Sequence, residues 1–305
     1  MTLKSQNRAY VYASLVVLFW GTSATAFKIG LNYLSTVQLL FWSSLAATTI
    51  LFLVLCSQHK FKQLSAATPA QLGRSVMLGF LNPFLYYLVL FKAYSLLPAQ
   101  VAQPLNYIWP IVLVLLAAIF LGQKLHWYDL LALLVSFTGV TLISSQGSIN
   151  IFSHSNPLGV VLALSSSIVW ATFWIVNMKK NAGDEVVTLF LSFASASIFC
   201  LIAMVTLGGF AKPLPWQGIL ASAYIGAFEM GITFVLWLKA LNLATSTAKL
   251  GNFSYLVPFV ALIFISLILN EKVIWTTVAG LICIIGAILF QQYLGRKLDN
   301  EGQKP

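Results

Sequence analysis

The chain has 305 residues, 59% of them hydrophobic and only 8% charged, with a formal net charge of +10. An ordinary soluble domain carries about 25% charged residues, so this composition excludes one and points to a chain that lives in lipid. A basic balance would suggest nucleic acid in a soluble protein, but here Lys and Arg fall between apolar runs, where membrane orientation accounts for them and no nucleic-acid partner is expected.

Taken in order, the chain begins with Lys4 and Arg8 before an apolar run in which "ATA" at 24–26 resembles a cleavage site. That run continues through Ile29 and holds Trp20 and Thr22, a pair repeated at Trp170 and Thr172. It reads as a retained first membrane helix. Ten apolar segments follow one another at roughly 9–31, 36–56, 72–96, 99–121, 127–145, 158–178, 187–207, 216–241, 246–269 and 273–294. Their lengths suit a bilayer core, which takes about 20 helical residues. The longest polar connections, 57–71, 146–157 and 208–215, leave no room for a separate domain.

Ten spans place both termini on one side. If that side is cytoplasmic, only Lys28, Lys92, Lys212 and Lys272 of the 17 Lys and Arg lie outside, as the positive-inside rule requires. The expected location is the cytoplasmic membrane, multi-pass, with both termini inside.

The two halves repeat. Trp20 and Thr22 match Trp170 and Thr172 at an offset of 150, Gly79 and Lys92 match Gly226 and Lys239 at 147, and Tyr107, Pro110 and Trp127 match Tyr255, Pro258 and Trp275 at 148. The expected domains are therefore 9–145 and 158–294, each a five-helix repeat. Five is odd, so the halves sit in the membrane with opposite orientation. Inverted repeats of this kind are the usual build of secondary transporters, with the site near the midplane at the repeat interface. The fold class is all-α integral membrane, ten transmembrane helices as two inverted five-helix repeats.

The chemistry of a soluble-type active site is absent from the pattern. The three cysteines, Cys56, Cys200 and Cys283, all lie in apolar segments and lack zinc-ligand spacing. His59, His126 and His154 fall in loops or at span ends. There is no phosphate-binding "GxxxxGK[ST]" loop and no "GxSxG" elbow. No enzyme, cofactor or metal site is expected.

The sharpest polar feature is Glu229, midway along the eighth segment. A carboxylate at that depth costs about 2.5–3.5 kcal/mol on insertion scales, so it faces a cavity or a partner. It could exchange a proton or pair with a substrate amine; the structural alternative is that it neutralises a lysine. By the offset of 147 its counterpart is Asn82, followed by Pro83, which should loosen the third segment and free a carbonyl toward the cavity. Gln103, Asn106 and Tyr107 put three polar groups on two turns of the fourth segment and need partners in lipid. Lys249, Asn252 and Tyr255 share a helical face in the ninth, although Lys249 also fits a plain cytoplasmic surface residue. Tyr107 and Tyr255 are repeat mates and could face each other. Trp20, Trp170 and Trp174 lie well inside their segments and could stack on a planar or cationic group, or simply pack; Trp127, Trp216 and Trp275 suit the interfacial belt. The small-residue runs "GTSATA" and Ser165–Ser167 read as close helix packing.

The runs "VLFWGTSATAFKIG", "PLNYIWPIVLVLLAAIFLGQKLHW" and "YLVPFVALIFISLILNEKVIWTTVAGLICIIGAILF" resemble the drug/metabolite transporter superfamily in its EamA-type ten-helix form, over essentially the whole chain. The "LNYIWP" run is similar to one in exporters of aromatic amino acids. The resemblance implies a five-plus-five basket around a central cavity and export of amino acids, other metabolites or toxic compounds. In the loop motif where Glu271 stands, the first repeat has Gln123.

The expected function is a secondary transporter, an exporter of amino acids or similar small metabolites by alternating access, proton-coupled through Glu229. Its cavity would be formed by the first, third, fourth, sixth, eighth and ninth segments. The alternative is a broad-specificity extruder of toxic lipophilic cations; a channel, a scaffold and a membrane-embedded enzyme stand behind both. The expected partners are a small-molecule substrate and the lipid bilayer, with a homodimer as an open expectation.

Overall fold

In hydrocarbon every backbone N–H and C=O must find its partner within the chain, so the apolar runs fold as helices. A computed structural model describes residues 5–123, 125–148, 155–177, 183–211, 214–245 and 252–302. Among the described residues nine helices are long and apolar enough to cross a membrane: α1 Gln6–Tyr33, α2 Thr36–Ser57, α3 Pro69–Leu96, α4 Ala99–Leu121, α5 Trp127–Ser145, α6 Pro157–Asn177, α7 Glu185–Thr206, α8 Trp216–Leu243 and α10 Trp275–Gly295. Between the last two lies a shorter apolar helix, α9 Phe253–Leu269. These ten are the membrane helices the hydropathy pattern gives.

Local chemistry sets the ends. Ser35 and Gln38 form a reciprocal cap at the start of α2, and Thr68 and Gln71 do the same before α3, with Pro69 in the first turn. Asp184 caps α7, its Oδ1 accepting from the amides of Val186 at 2.9 Å and Val187 at 3.2 Å. Pro98 offers α4 no side-chain cap; the orphan amides of Ala99 and Gln100 instead donate to Glu271 from the other half, at 3.0 and 3.2 Å. Glu271, read from the sequence as a membrane-surface loop residue, thus joins the halves.

The packing repeats when the halves are exchanged. α1 lies against α8 and α9, and its repeat mate α6 lies against α3 and α4; α2 pairs with α7, and α5 with α10. Each half therefore inserts its first helix into the other. Where α2 meets α7, the hydroxyls of Thr48 and Ser197 are 2.9 Å apart. Where α5 meets α10, Gln291 Nε2 donates to Asp129 Oδ1 at 2.9 Å inside the bundle. In lipid such polar links and close backbone approaches hold helices together.

α3 and α8 are interrupted at the same repeat register by wide turns of π type, Phe80–Leu85 and Ile225–Gly231. In α3, Asn82 leaves the helical region altogether, at φ −146° and ψ 120°. The glycine that opens each turn lets it press on the opposite half. A Cβ at Gly226 would meet the carbonyl oxygen of Ser43 on α2 at 2.5 Å, and one at Gly79 would meet that of Ser192 on α7. Wide turns of this kind are frequent at functional sites, because they break the ladder and turn a side chain aside.

Candidate functional site

A cavity of about 280 Å³ lies among α1, α3, α4, α6, α8 and α9. The turn Ile225–Gly231 carries Glu229 onto its wall, where the residue is 8% exposed. Tyr87 Oη on α3 donates to Glu229 Oε1 at 2.8 Å, and Ser23 Oγ on α1 donates to Oε2. Trp20 Nε1 donates to the main-chain carbonyl of Glu229 at 3.4 Å. Among the described residues lining the cavity, Glu229 is the one carboxylate, and no Lys or Arg faces it there. Among the described residues two hydroxyls, and not a lysine, hold the carboxylate.

Beside the Tyr87 ring a polar relay runs over α3, α4 and α6. Tyr86 Oη donates to Asn106 Oδ1 at 3.1 Å, and Asn106 Nδ2 donates to Ser166 Oγ at 2.8 Å. Tyr94 donates to Gln103. The amide of Asn106 is thus anchored on both sides, with its neighbours set to offer hydroxyl groups rather than charge. Tyr107 and Tyr255 both line the cavity, and Gln292 on α10 donates to the Tyr255 hydroxyl.

Aromatic rings fill the space between. Trp170 lies 4.8 Å from the Tyr86 ring and 6.0 Å from Trp174. Trp20 lies 5.7 Å from Trp237 and 6.2 Å from Phe234. The result is a slot with indole and phenol faces on several sides and one acid. It can hold a flat apolar group and, beside it, an ammonium or a proton.

Polar ties gather at one end of the slot, beside Phe27 and Gln103. Lys28 Nζ donates to the carbonyls of Tyr94 and Leu97, each at 3.0 Å. Glu271 ties the start of α4 to the α9–α10 turn, and Gln100 extends the tie to Lys272 and Ile274 at 2.8 and 3.0 Å. Toward its other end the slot reaches Leu241 and Ser254, beside the ends of α8 and α9.

Of the residues singled out in the sequence, Glu229, Asn106, Tyr107, Tyr255, Trp20, Trp170 and Trp174 come together around this one cavity. Asn82 does not; its departure from helical geometry places it on the wall of a second cavity between α3, α6, α7 and α8. Lys249 lies outside the described residues, and Asn252 is described only as the start of the short turn Asn252–Leu256. Trp127, Trp216 and Trp275 are exposed, as belt residues are. Sequence reasoning missed Ser23, Tyr86, Tyr87 and Trp237. Ser23 sits in the small-residue run read as packing alone. The adjacent tyrosines of "NPFLYY" follow the α3 break directly, and that was the signal to use.

Comparison with known proteins completes the picture. The model of a family described as "EamA-like transporter family" matches residues 7–145 and again 157–291. An uncharacterized transporter of Archaeoglobus fulgidus is 27% identical over 93% of this chain and 97% of its own length. A probable terminal-alkyne amino-acid exporter of Streptantibioticus cattleyicolor is 25% identical over 93% of this chain and 94% of its own. The aromatic amino acid exporter YddG of Salmonella typhimurium is 24% identical over 60% of this chain and 64% of its own. A solved crystal structure superposes with a TM-score of 0.66 at 18% identity, covering 96% of this chain and 99% of that one, which speaks to the fold alone.

Proposed function

This chain belongs to the EamA-like transporter family, and from that premise we propose that it is a secondary transporter exporting amphipathic amino acids or similar small metabolites by alternating access. The observation that carries the reading is Glu229, a lone carboxylate held by Ser23 and Tyr87 in an aromatic slot. An ammonium group of a substrate replaces one of those hydroxyls as donor, and the substrate's apolar part lies against Trp20, Trp170 and Trp174. A proton taken up by Glu229 removes the charge that held the ammonium. That exchange couples substrate release to proton entry. Asn106, Tyr107 and Tyr255 supply neutral hydrogen-bonding groups along the path.

The positive-inside rule places Arg74 and the ends of α8 and α9 on the cytoplasmic side. The slot reaches that side, while Lys28, Gln100 and Glu271 close the other. On that placement we read the slot as open to the cytoplasm, with the chain in the cytoplasmic membrane and both termini inside. Two relatives named as amino-acid exporters support the substrate class.

The aromatic walls around one carboxylate favour a second reading, extrusion of lipophilic cations, for which cation–π contacts serve equally. One experiment separates the two. Wild type and Glu229→Gln are reconstituted into proteoliposomes and tested with a radiolabelled amino-acid panel and with tetraphenylphosphonium, with and without a pH gradient. Saturable, gradient-dependent amino-acid flux that Glu229→Gln loses is expected. Equal flux in both proteins sinks the role of Glu229. Movement of the cation alone moves the assignment to the second reading.

A further inference from the structure

The second cavity, of about 270 Å³, contains a polar group that the transport reading leaves without employment. Asn82 is 2% exposed, and among the described residues neither its Oδ1 nor its Nδ2 has a hydrogen-bond partner. The indole Nε1 of Trp174, on the wall shared by the two cavities, also finds none among the described residues. A buried donor or acceptor in this state bears a desolvation penalty that nothing returns, and native chains rarely retain one without a use.

The repeat explains how the amide lost its partners. Glu229 and Asn82 are mates, and Glu229 is held by Ser23 and Tyr87. The mate of Ser23, at the α1–α6 offset of 150, is Phe173; the mate of Tyr87, at the α3–α8 offset of 147, is Phe234. Both phenylalanines line the second cavity. Where one half has two hydroxyls, the other has two rings. The pseudo-equivalent site keeps its polar group at the same register, exchanges the in-chain donors for apolar walls, and leaves open space beside them.

We infer that this cavity is a second substrate subsite, built for an α-amino acid with an aromatic or bulky apolar side chain. The amide matches both ends of a zwitterion: Oδ1 accepts from the ammonium and Nδ2 donates to the carboxylate. Phe173, Phe234 and Trp174 take the side chain. The approach is lined by one charge of each sign, Arg74 and Glu185. Arg74 is steadied by the carbonyl of Asn177 at 3.1 Å, and Glu185 by Asn242 Nδ2 at 3.0 Å. A lipophilic cation has no acceptor for Nδ2 and would leave it unpaired, so the subsite discriminates against it. Trp174 and Trp237 border both cavities, so a substrate held here stands one indole away from the slot of Glu229. The inference rests on the amino-acid reading above.

Equilibrium binding of radiolabelled L-phenylalanine to the purified full-length chain in lipid nanodiscs tests it. Wild type is expected to bind two equivalents, and Asn82→Leu one. Leu189→Trp leaves the amide in place and fills the pocket from α7; it is expected to bind one as well, and it decides the matter if Asn82→Leu does not fold. One equivalent in wild type, or two that neither variant lowers, overturns the second subsite while leaving the transport reading intact. Absence of both binding and flux for every amino acid sinks the amino-acid reading, and the subsite with it.

Discussion

Tyr87 on α3 and Glu229 on α8 stand 142 positions apart in the chain, and their side chains meet at 2.8 Å across the interface between the repeats. With Ser23 on α1 they form a three-helix junction, so the same contacts that prepare the carboxylate also hold the halves together. A hydrogen bond to a charged group contributes about 1.5–3 kcal/mol. Tyr87→Phe and Ser23→Ala are each expected to slow proteoliposome flux and lower the unfolding temperature in detergent. The double variant should fall short of the sum, because the two hydroxyls serve one carboxylate. Strict additivity, or a Tyr87→Phe protein indistinguishable from wild type, removes the junction from the mechanism.

The inward-facing reading proposed above gives Glu271, which accepts from the amides of Ala99 and Gln100, the role of holding the outer end shut. Capping interactions of this type contribute about 0.5–2 kcal/mol, enough to bias a two-state equilibrium several-fold. Glu271→Ala should expose Leu97, which is 1% accessible in the closed form. The check is a Leu97→Cys reporter in a background lacking the native cysteines, labelled from outside by a membrane-impermeant maleimide. Labelling should rise in the Glu271→Ala protein; an unchanged rate means the cap is not part of the gate.

The wide turn of α8 depends on its contact with α2. At Gly226 an added methyl meets backbone, which cannot move aside as a flexible side chain can. Overpacking of this kind costs about 1–3 kcal/mol. Gly226→Ala is expected to lower the unfolding temperature clearly. Gly73→Ala, where none of the described residues places an atom within 4 Å of the new methyl, should be neutral or mildly stabilising, because alanine suits a helix better than glycine. Similar effects at both positions would show that close approach is not what Gly226 provides.

Between the turn after α2 and the start of α7, Lys60 Nζ lies 2.7 Å from Asp184 Oδ2. Partial burial works against ionisation of Asp184, but the Lys60 ammonium and the amides of Val186 and Val187 outweigh it and hold the carboxyl below its ordinary value of 3.8. A depressed carboxylate contributes stability above its unfolded value and loses it as pH falls through the folded one. Asp184→Asn should therefore cost no more than about 1 kcal/mol at pH 7. The difference from wild type, read by thermal unfolding, should persist down to about the ordinary carboxylate value and vanish below it. A deficit that stays constant into strong acid would locate the effect in packing instead.

How much of this was legible beforehand differs from one feature to the next. Glu229 stood out because its cost depends on depth in the apolar run, which composition alone reveals. Trp20, Trp170, Asn106 and both repeat-related tyrosines followed from helical spacing and the offset between halves, and they do meet around one cavity. Asn82 was placed in that cavity by the same offset, and the offset misled. Register is preserved, but the backbone at Asn82 leaves the helix, and the neighbouring mates of Ser23 and Tyr87 are phenylalanines.

The sequence by itself determined the membrane class, ten apolar helices and two inverted halves, because bilayer thickness and an odd repeat permit little else. Only the tertiary structure decided which hydroxyls hold Glu229, which residue caps α4, and that Asn82 lines a different cavity from Glu229. Those outcomes depend on how each helix is rotated and where it crosses its neighbours. That is fixed by packing between segments more than a hundred residues apart, and by two wide turns whose geometry no periodicity in the chain encodes.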